Sequence, residues 1–296
     1  MNNQSEQAQT TSANTQPWAQ GRRTVHDVPA HLVPALVVAD MDGSLLDSNG
    51  NIPDTFWDVL TRMRERGIAF APASGRQLAT LRELFAPAGD NLYTIAENGA
   101  YVVHGDEEIS SVTLDHNTVT TAINIVRNTH EKGHRLGAVV CGKRSAYVEW
   151  NHQPFLDQCR VYYAALELVE DLHTIDDDIL KVAIFDFGPA EEIAHHFNPL
   201  RHTHQVVISG PNWIDVMSHG VHKGLAVQEL QKTLGIDRKH TLVFGDYFND
   251  AHMLDTAELS FAMANGHPEI IQRANYIAPP NTEHGTITVL ETLLNR

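Results

Sequence analysis

The chain has 296 residues, 42% of them hydrophobic, which is enough for one large globular domain or two moderate ones, and it contains no run of about 18 apolar residues able to cross a membrane as a helix. Lys plus Arg number 21 against 37 Asp plus Glu, and the net charge of −16 repels a nucleic-acid backbone, so any bound anion needs a local lysine, cation or helix N-terminus. Two cysteines, Cys141 and Cys159, are too few for a disulfide framework and predict a protein of the reducing cytoplasm.

Residues 1–30 open with amides and hydroxyls where a secretory signal needs a basic start and an apolar run, and their composition predicts a disordered leader. The first ordered feature is Leu36-Val37-Val38-Ala39, a short, unalternating apolar run expected as a strand buried on both faces, which ends abruptly in Asp40-Met41-Asp42-Gly43-Ser44. Pro53 to Arg66 reads as a helix stopped by Gly67, then residues 67–73 as a second strand, and after Ser74-Gly75-Arg76 an amphipathic helix carries Leu78, Leu81 and Phe85. Strand, helix, strand, helix implies a parallel sheet with right-handed crossovers. The pattern returns late in the chain, with a helix over Leu225 to Leu234, a strand over Thr241 to Phe244 closed by Gly245-Asp246, and short strands at Leu259–Met263 and Tyr276–Ala278. Between 100 and 215 the texture changes to hairpins, Tyr101–Val103 with Ile109–Thr113 and Leu136–Val140 with Ala146–Trp150, interspersed with helices near 115–132 and 189–200. The division expected is a core of 31–99 and 216–296 interrupted at 100–215 by an α/β insert, an antiparallel sheet covered on one face.

Three strands end in polar residues: Asp40 and Asp42, then Ser74, then Asp246, Asn249 and Asp250. Ligands of open parallel sheets bind at the carboxyl ends of the strands, where these groups converge. Two carboxylates about 4 Å apart repel by about 4 kcal/mol at an effective dielectric near 20, so a crevice crowded with them calls for a hard cation. Mg²⁺, which takes oxygen ligands, suits Asp40, Asp246 and a carbonyl of the first loop. Opposite it, Ser74 and Gly75 at a helix start can receive phosphate oxygens, and Lys223 adds a positive charge.

These residues, taken together, resemble the haloacid dehalogenase superfamily of phosphohydrolases, and within it the Cof-type, sugar-phosphatase-like group with a large α/β cap. The matching segments are Asp40-Met41-Asp42-Gly43-Ser44-Leu45-Leu46, Ser74-Gly75-Arg76, Lys223-Gly224 and Gly245-Asp246-Tyr247-Phe248-Asn249-Asp250, with Glu97-Asn98-Gly99-Ala100 and Ala262 to Gly266 also similar. The resemblance implies a Rossmannoid parallel-sheet core and a substrate-selecting cap. It implies Asp40 as the nucleophile that forms an aspartyl-phosphate and Asp42 as general acid and base, with Mg²⁺ at Asp40, Asp42 and Asp246. Phosphate would be contacted by the Met41 amide, Ser74, Gly75, Lys223 and Asn249, with Asp250 behind the metal or steadying Lys223, and Ser44 standing where Thr is commoner. The substrate expected is a small phosphorylated metabolite, and neither nucleic acid nor membrane is an expected partner. A phosphomutase and a non-catalytic phosphate-sensing module are the alternatives carried by the same residues.

Other signals are expected to be structural. His130-Glu131-Lys132-Gly133-His134 has zinc-protease spacing, but Gly133 should end the helix before the second histidine. His222 is expected at the surface, Asp176-Asp177-Asp178 as a solvated turn, and Trp213 with Asp215 as packing where the insert rejoins the core.

Overall fold

A computed structural model describes residues 17–19 and 21–296. The core begins with β1 (Leu36–Asp40), a tight turn over Met41–Leu45, α1 (Phe56–Glu65), β2 (Ala69–Ala73), α2 (Leu78–Leu84), β3 (Tyr93–Ala96), β4 (Tyr101–His104) and β5 (Glu107–Ser111). The insert contributes α3 (His116–Glu131), β6 (Leu136–Gly142), β7 (Ala146–Val148), α4 (Gln153–Tyr162), β8 (Leu166–Leu168), β9 (Ile179–Asp186), α5 (Ala190–Ile193), β10 (His204–Gly210) and β11 (Trp213–Ser218). The chain returns to the core through α6 (Lys223–Leu234), β12 (Thr241–Gly245), α7 (Ala251–Leu254), β13 (Leu259–Met263), α8 (Pro268–Arg273), β14 (Tyr276–Ala278) and α9 (Gly285–Leu294).

The core sheet runs β14-β13-β12-β1-β2-β3-β4-β5, parallel from β14 to β3 and antiparallel across the last two pairs. Alternation along β1 explains its unbroken apolar run: Val37 and Ala39 pack with α1, α2 and α9 on one face, Leu36 and Val38 with α6 and α7 on the other. With β1 central, its carboxyl end lies between those of β2 and β12, which brings the turns after all three strands to one edge.

The cap sheet runs β10-β11-β9-β6-β7-β8 and is antiparallel apart from β7 with β8. Val182 and Ile184 of β9 pack under α3, while Ala183 and Phe185 face the other way against Phe155, Leu156 and Cys159 of α4. The expectation of a sheet covered on one face is therefore corrected: α4 covers part of the second face, and Gly137 makes room for the Phe155 ring, 2.7 Å from where a Cβ would lie.

Two expected boundaries move. The hairpin β4–β5 belongs to the core sheet, because β3 reverses through the 97–99 turn and pairs Ile95 with Val102. Residues 21–30 are packed, not disordered: Val25 and Val28 are buried, Arg23 O accepts from Ile277 N at 2.8 Å, and Arg296 Nη1 donates to Val28 O at 2.9 Å. Two apolar side chains and backbone pairing to β14 outweigh the polar composition of that stretch. The rest of the predicted leader, residues 1–16 and 20, lies outside the described residues. Helix α3 ends at Glu131 and Gly133 takes φ +96°, so His134 leaves the helix as expected and the zinc-protease spacing forms no shared face. Asp177 differs from the solvated turn expected, since its carboxylate is buried and accepts from Tyr147 Oη at 2.9 Å and Arg144 N at 3.0 Å.

Gly99, at φ +98°, passes so close to the backbone before α6 that a Cβ would lie 2.6 Å from His222 O. Gly235 ends α6 at φ +66° with open space around it. Gly235→Ala should therefore lose only the left-handed penalty, about 1–2 kcal/mol. Gly99→Ala should lose clearly more, by urea unfolding of the two variants side by side; equal losses would refute the close approach.

Candidate active site

Asp40 is the last residue of β1, and its carboxylate is buried. Lys223, the first residue of α6, lies fully buried opposite; its ammonium donates to Asp40 Oδ1 and, at 2.7 Å, to Asp250 Oδ1. Asp250 is saturated, because Oδ2 accepts from the backbone N–H of Asp246 at 2.9 Å and of Tyr247 at 3.1 Å. Gly245 permits this: a Cβ there would meet Asp250 at 2.5 Å. Gly43, at φ +81°, similarly lets the first loop pass against the Asp246 carboxylate.

Carboxylate oxygens of Asp40, Asp246 and Asp250 lie within 4.8 Å of one another. Burial first, and then repulsion from Asp250, raise the Asp40 carboxyl well above its usual range despite the pull of Lys223. The same two causes push Asp246 up to about 6. Burial would lower the Lys223 ammonium, but the facing Asp250 and Asp40 carboxylates raise it, so it stays charged. Three carboxyl groups thus face one ammonium, and Asp40 Oδ2 is buried without a hydrogen-bond partner. A divalent, oxygen-seeking cation fits that donor set, with Asp40 and Asp246 as its side-chain ligands, since both Asp250 oxygens are already engaged. Asp42, expected among the metal carboxylates, is not one of the three: its side chain is gripped by Arg76, Nε to Oδ2 at 3.0 Å and Nη2 to Oδ1 at 2.6 Å.

The phosphate-side residues gather beside this group. Ser74 Oγ accepts from Arg76 N at 3.2 Å, and Gly75 leaves room for Asn98, whose side-chain nitrogen is 2.9 Å from where a Cβ would be. Asn98 Oδ1 accepts from Asn249 Nδ2 at 3.4 Å. Met41 is buried directly after Asp40; Ser44 is buried too, its carbonyl accepting from Thr286 Oγ1 at 3.0 Å while its own hydroxyl has no partner. His222 is half-buried, not a surface residue: Nδ1 accepts from Leu225 N at 3.0 Å, capping the helix that carries Lys223, and its ring lies 4.3 Å from that of His252.

A cavity of about 520 Å³ opens between core and cap. Asp42, Arg76, Asn98 and Asn249 contribute its core side, and Tyr162, Tyr163, Lys181, Trp213 and Asp215 its cap side. Trp213 and Asp215 are thus more than packing at the join. Lys181 and the two tyrosines line this cavity and were not singled out by the sequence reading. For Lys181 the one signal was its place as the third residue of β9, where every other residue up to Phe185 is apolar.

The sequence matches the haloacid dehalogenase-like hydrolase family over residues 37–290. It is 29% identical over 266 residues to the 5-amino-6-(5-phospho-D-ribitylamino)uracil phosphatase YbjI of Escherichia coli, covering 88% of this chain and 96% of that protein. Identity to the phosphatase YitU of Bacillus subtilis, named for the same substrate, is 23% over 269 residues, covering 87% and 97%. In fold, the chain is similar to a haloacid dehalogenase-like hydrolase from Bacteroides thetaiotaomicron, with a TM-score of 0.79, 23% identity and coverage of 88% and 99%. A family match over residues 37–290, on a chain whose fold and strand-end acids are those described above, places this protein among the haloacid dehalogenase-like hydrolases, with the Cof-type phosphatases.

Proposed function

We propose that this protein is a Mg²⁺-dependent phosphatase of small phosphomonoesters, sugar phosphates or related phosphometabolites, working through an aspartyl-phosphate on Asp40. The observation that carries the reading is the buried Asp40 carboxylate, with one oxygen held by Lys223 and the other, Oδ2, unpartnered. Mg²⁺, held by Asp40, Asp246 and the first loop at Asp42, would supply charge neutralisation that lets a phosphate approach this acidic site.

In the first step a carboxylate oxygen of Asp40 attacks phosphorus, the bond to the ester oxygen breaks, and Asp42 gives a proton to the departing alcohol. In the second, Asp42 takes a proton from water as that water attacks phosphorus, and Asp40 is released with inorganic phosphate. Arg76 holds Asp42 in the cavity wall, so an entering substrate exchanges that partner for its own ester oxygen. Lys223 orients Asp40 and opposes the charge that builds on the phosphoryl oxygens, while Ser74, the amides of Met41 and Gly75, and Asn249 bind those oxygens. Ser44 and Asp250 support from behind, Asp250 by fixing Lys223. The cap side of the cavity then selects the leaving group. Its aromatic members, Tyr162 and Trp213 with ring centroids 5.4 Å apart, give a planar or apolar portion of a metabolite a surface to lie on. The pyrimidine named in the substrate of the curated relatives is one such portion.

Screening a panel of phosphorylated metabolites with Mg²⁺ for phosphate release tests the reading; silence across the panel would reject it. Asp40→Asn should abolish release while leaving the circular dichroism spectrum unchanged, and chelation by EDTA should abolish it until Mg²⁺ is restored. Lys223→Met should both inactivate and destabilise, by about 3–5 kcal/mol in urea unfolding, because it strands two buried carboxylates; a stable and active variant would contradict the shared-ammonium arrangement.

A further inference from the structure

Where the cap meets the core lies a second buried ionic cluster that the reaction above does not use. Lys181, central in β9 of the cap, has a side chain 6% exposed; its Nζ is 2.7 Å from Glu97 Oε2 and 3.9 Å from Asp215 Oδ2. The same Nζ donates across the interface to Gly75 O at 3.4 Å. Glu97, the core partner, is 1% exposed at its side chain and opens a turn in which Glu97, Asn98 and Gly99 have φ of +50°, +55° and +98°. Two successive non-glycine residues in the left-handed region persist only where their surroundings impose it.

That turn is laced to the phosphate-side turn, Glu97 N donating to Arg76 O at 3.1 Å and Asn98 N to Ser74 O at 2.9 Å. The peptide unit joining Gly75 to Arg76 is held at both ends. Its N–H donates to Ser74 Oγ, and its carbonyl faces the cap's ammonium. A buried ion pair adds little to stability over a packed apolar pair, so its use here is geometric.

Building on the phosphatase reading, we propose that Lys181 is a positioning residue that couples cap docking to phosphate binding. Seated on Glu97, its ammonium holds the Gly75–Arg76 peptide in the orientation that the Ser74–Arg76 turn needs to receive phosphate, and it does so only while the cap is down. By reciprocity, phosphate bound at the turn draws the cap onto the core.

Calorimetry with inorganic phosphate and Mg²⁺ on the full-length protein tests this without turnover. Lys181→Met and Glu97→Gln should each weaken phosphate binding by about tenfold, the double variant should be no weaker than the worse single, and circular dichroism should show all three folded. Small-angle scattering should show phosphate compacting the wild type but not Lys181→Met. If Lys181→Met fails to fold, the double variant, which buries no unpaired charge at this pair, carries the same measurements. Phosphate affinity within about twofold of wild type, strictly additive losses, or equal compaction in wild type and variant would each overturn the coupling. A wild type that binds phosphate yet hydrolyses no phosphomonoester overturns the phosphatase reading and leaves the coupling standing. Turnover in the wild type with unaltered phosphate affinity in the variants does the reverse.

Discussion

The ammonium of Lys223, shared between Asp40 and Asp250 inside the protein, is the interaction on which the site depends. It joins the end of β1 to the start of α6, 183 residues later, and to the turn after β12, 27 residues beyond that. Burying one ammonium with two carboxylates, and a third close by, is tolerable only if hydrogen bonds and a further positive charge complete the balance. The backbone N–H groups of Asp246 and Tyr247 meet Asp250, and the remaining carboxyl oxygens of Asp40 and Asp246 form a donor set that suits a divalent cation. The same arrangement leaves Asp40 with an oxygen that no protein group satisfies, the feature on which its proposed nucleophilic role rests.

Around this centre the fold works by close approach. Gly43, Gly75, Gly99 and Gly245 each lie where a Cβ would collide with a neighbouring site element, so the loops from four strand ends can crowd within reach of one phosphate. The cap supplies what the core lacks, a wall with aromatic surface and the second charged cluster, Lys181 with Asp215. Residues of core and cap therefore meet in a single cavity, and the interface between them is polar at its centre, through Lys181 and Glu97. Lys143 makes a second ionic contact across the same boundary, to Glu108 at 2.9 Å.

Much of the core was legible because each of its signals is local. An apolar run ending in Asp40, the returning run ending in Asp246, and Ser74 after β2 are strand ends that a parallel sheet must bring to one edge. The outer part of the core was harder. β3 is only four residues long, too short to show a period, and the hairpin β4–β5 has the same texture as the cap hairpins, so it was assigned to the insert. The packed stretch 21–30 was misread because its composition is polar and its two buried valines are too few to show a period.

From the sequence alone came the acids, hydroxyl and lysine of the candidate site and their order along the chain, because charge type and strand-end position are properties of residues and their neighbours; the roles proposed for them came from the family resemblance. Tertiary structure decided which carboxylates are committed to protein partners: Asp250 to Lys223 and two backbone amides, and Asp42 to Arg76, and neither pairing follows from spacing along the chain. It also decided that Lys181, 84 residues beyond Glu97 and in another sheet, would reach the phosphate-side turn. Such contacts depend on how two layers are set against each other, and no local pattern encodes that.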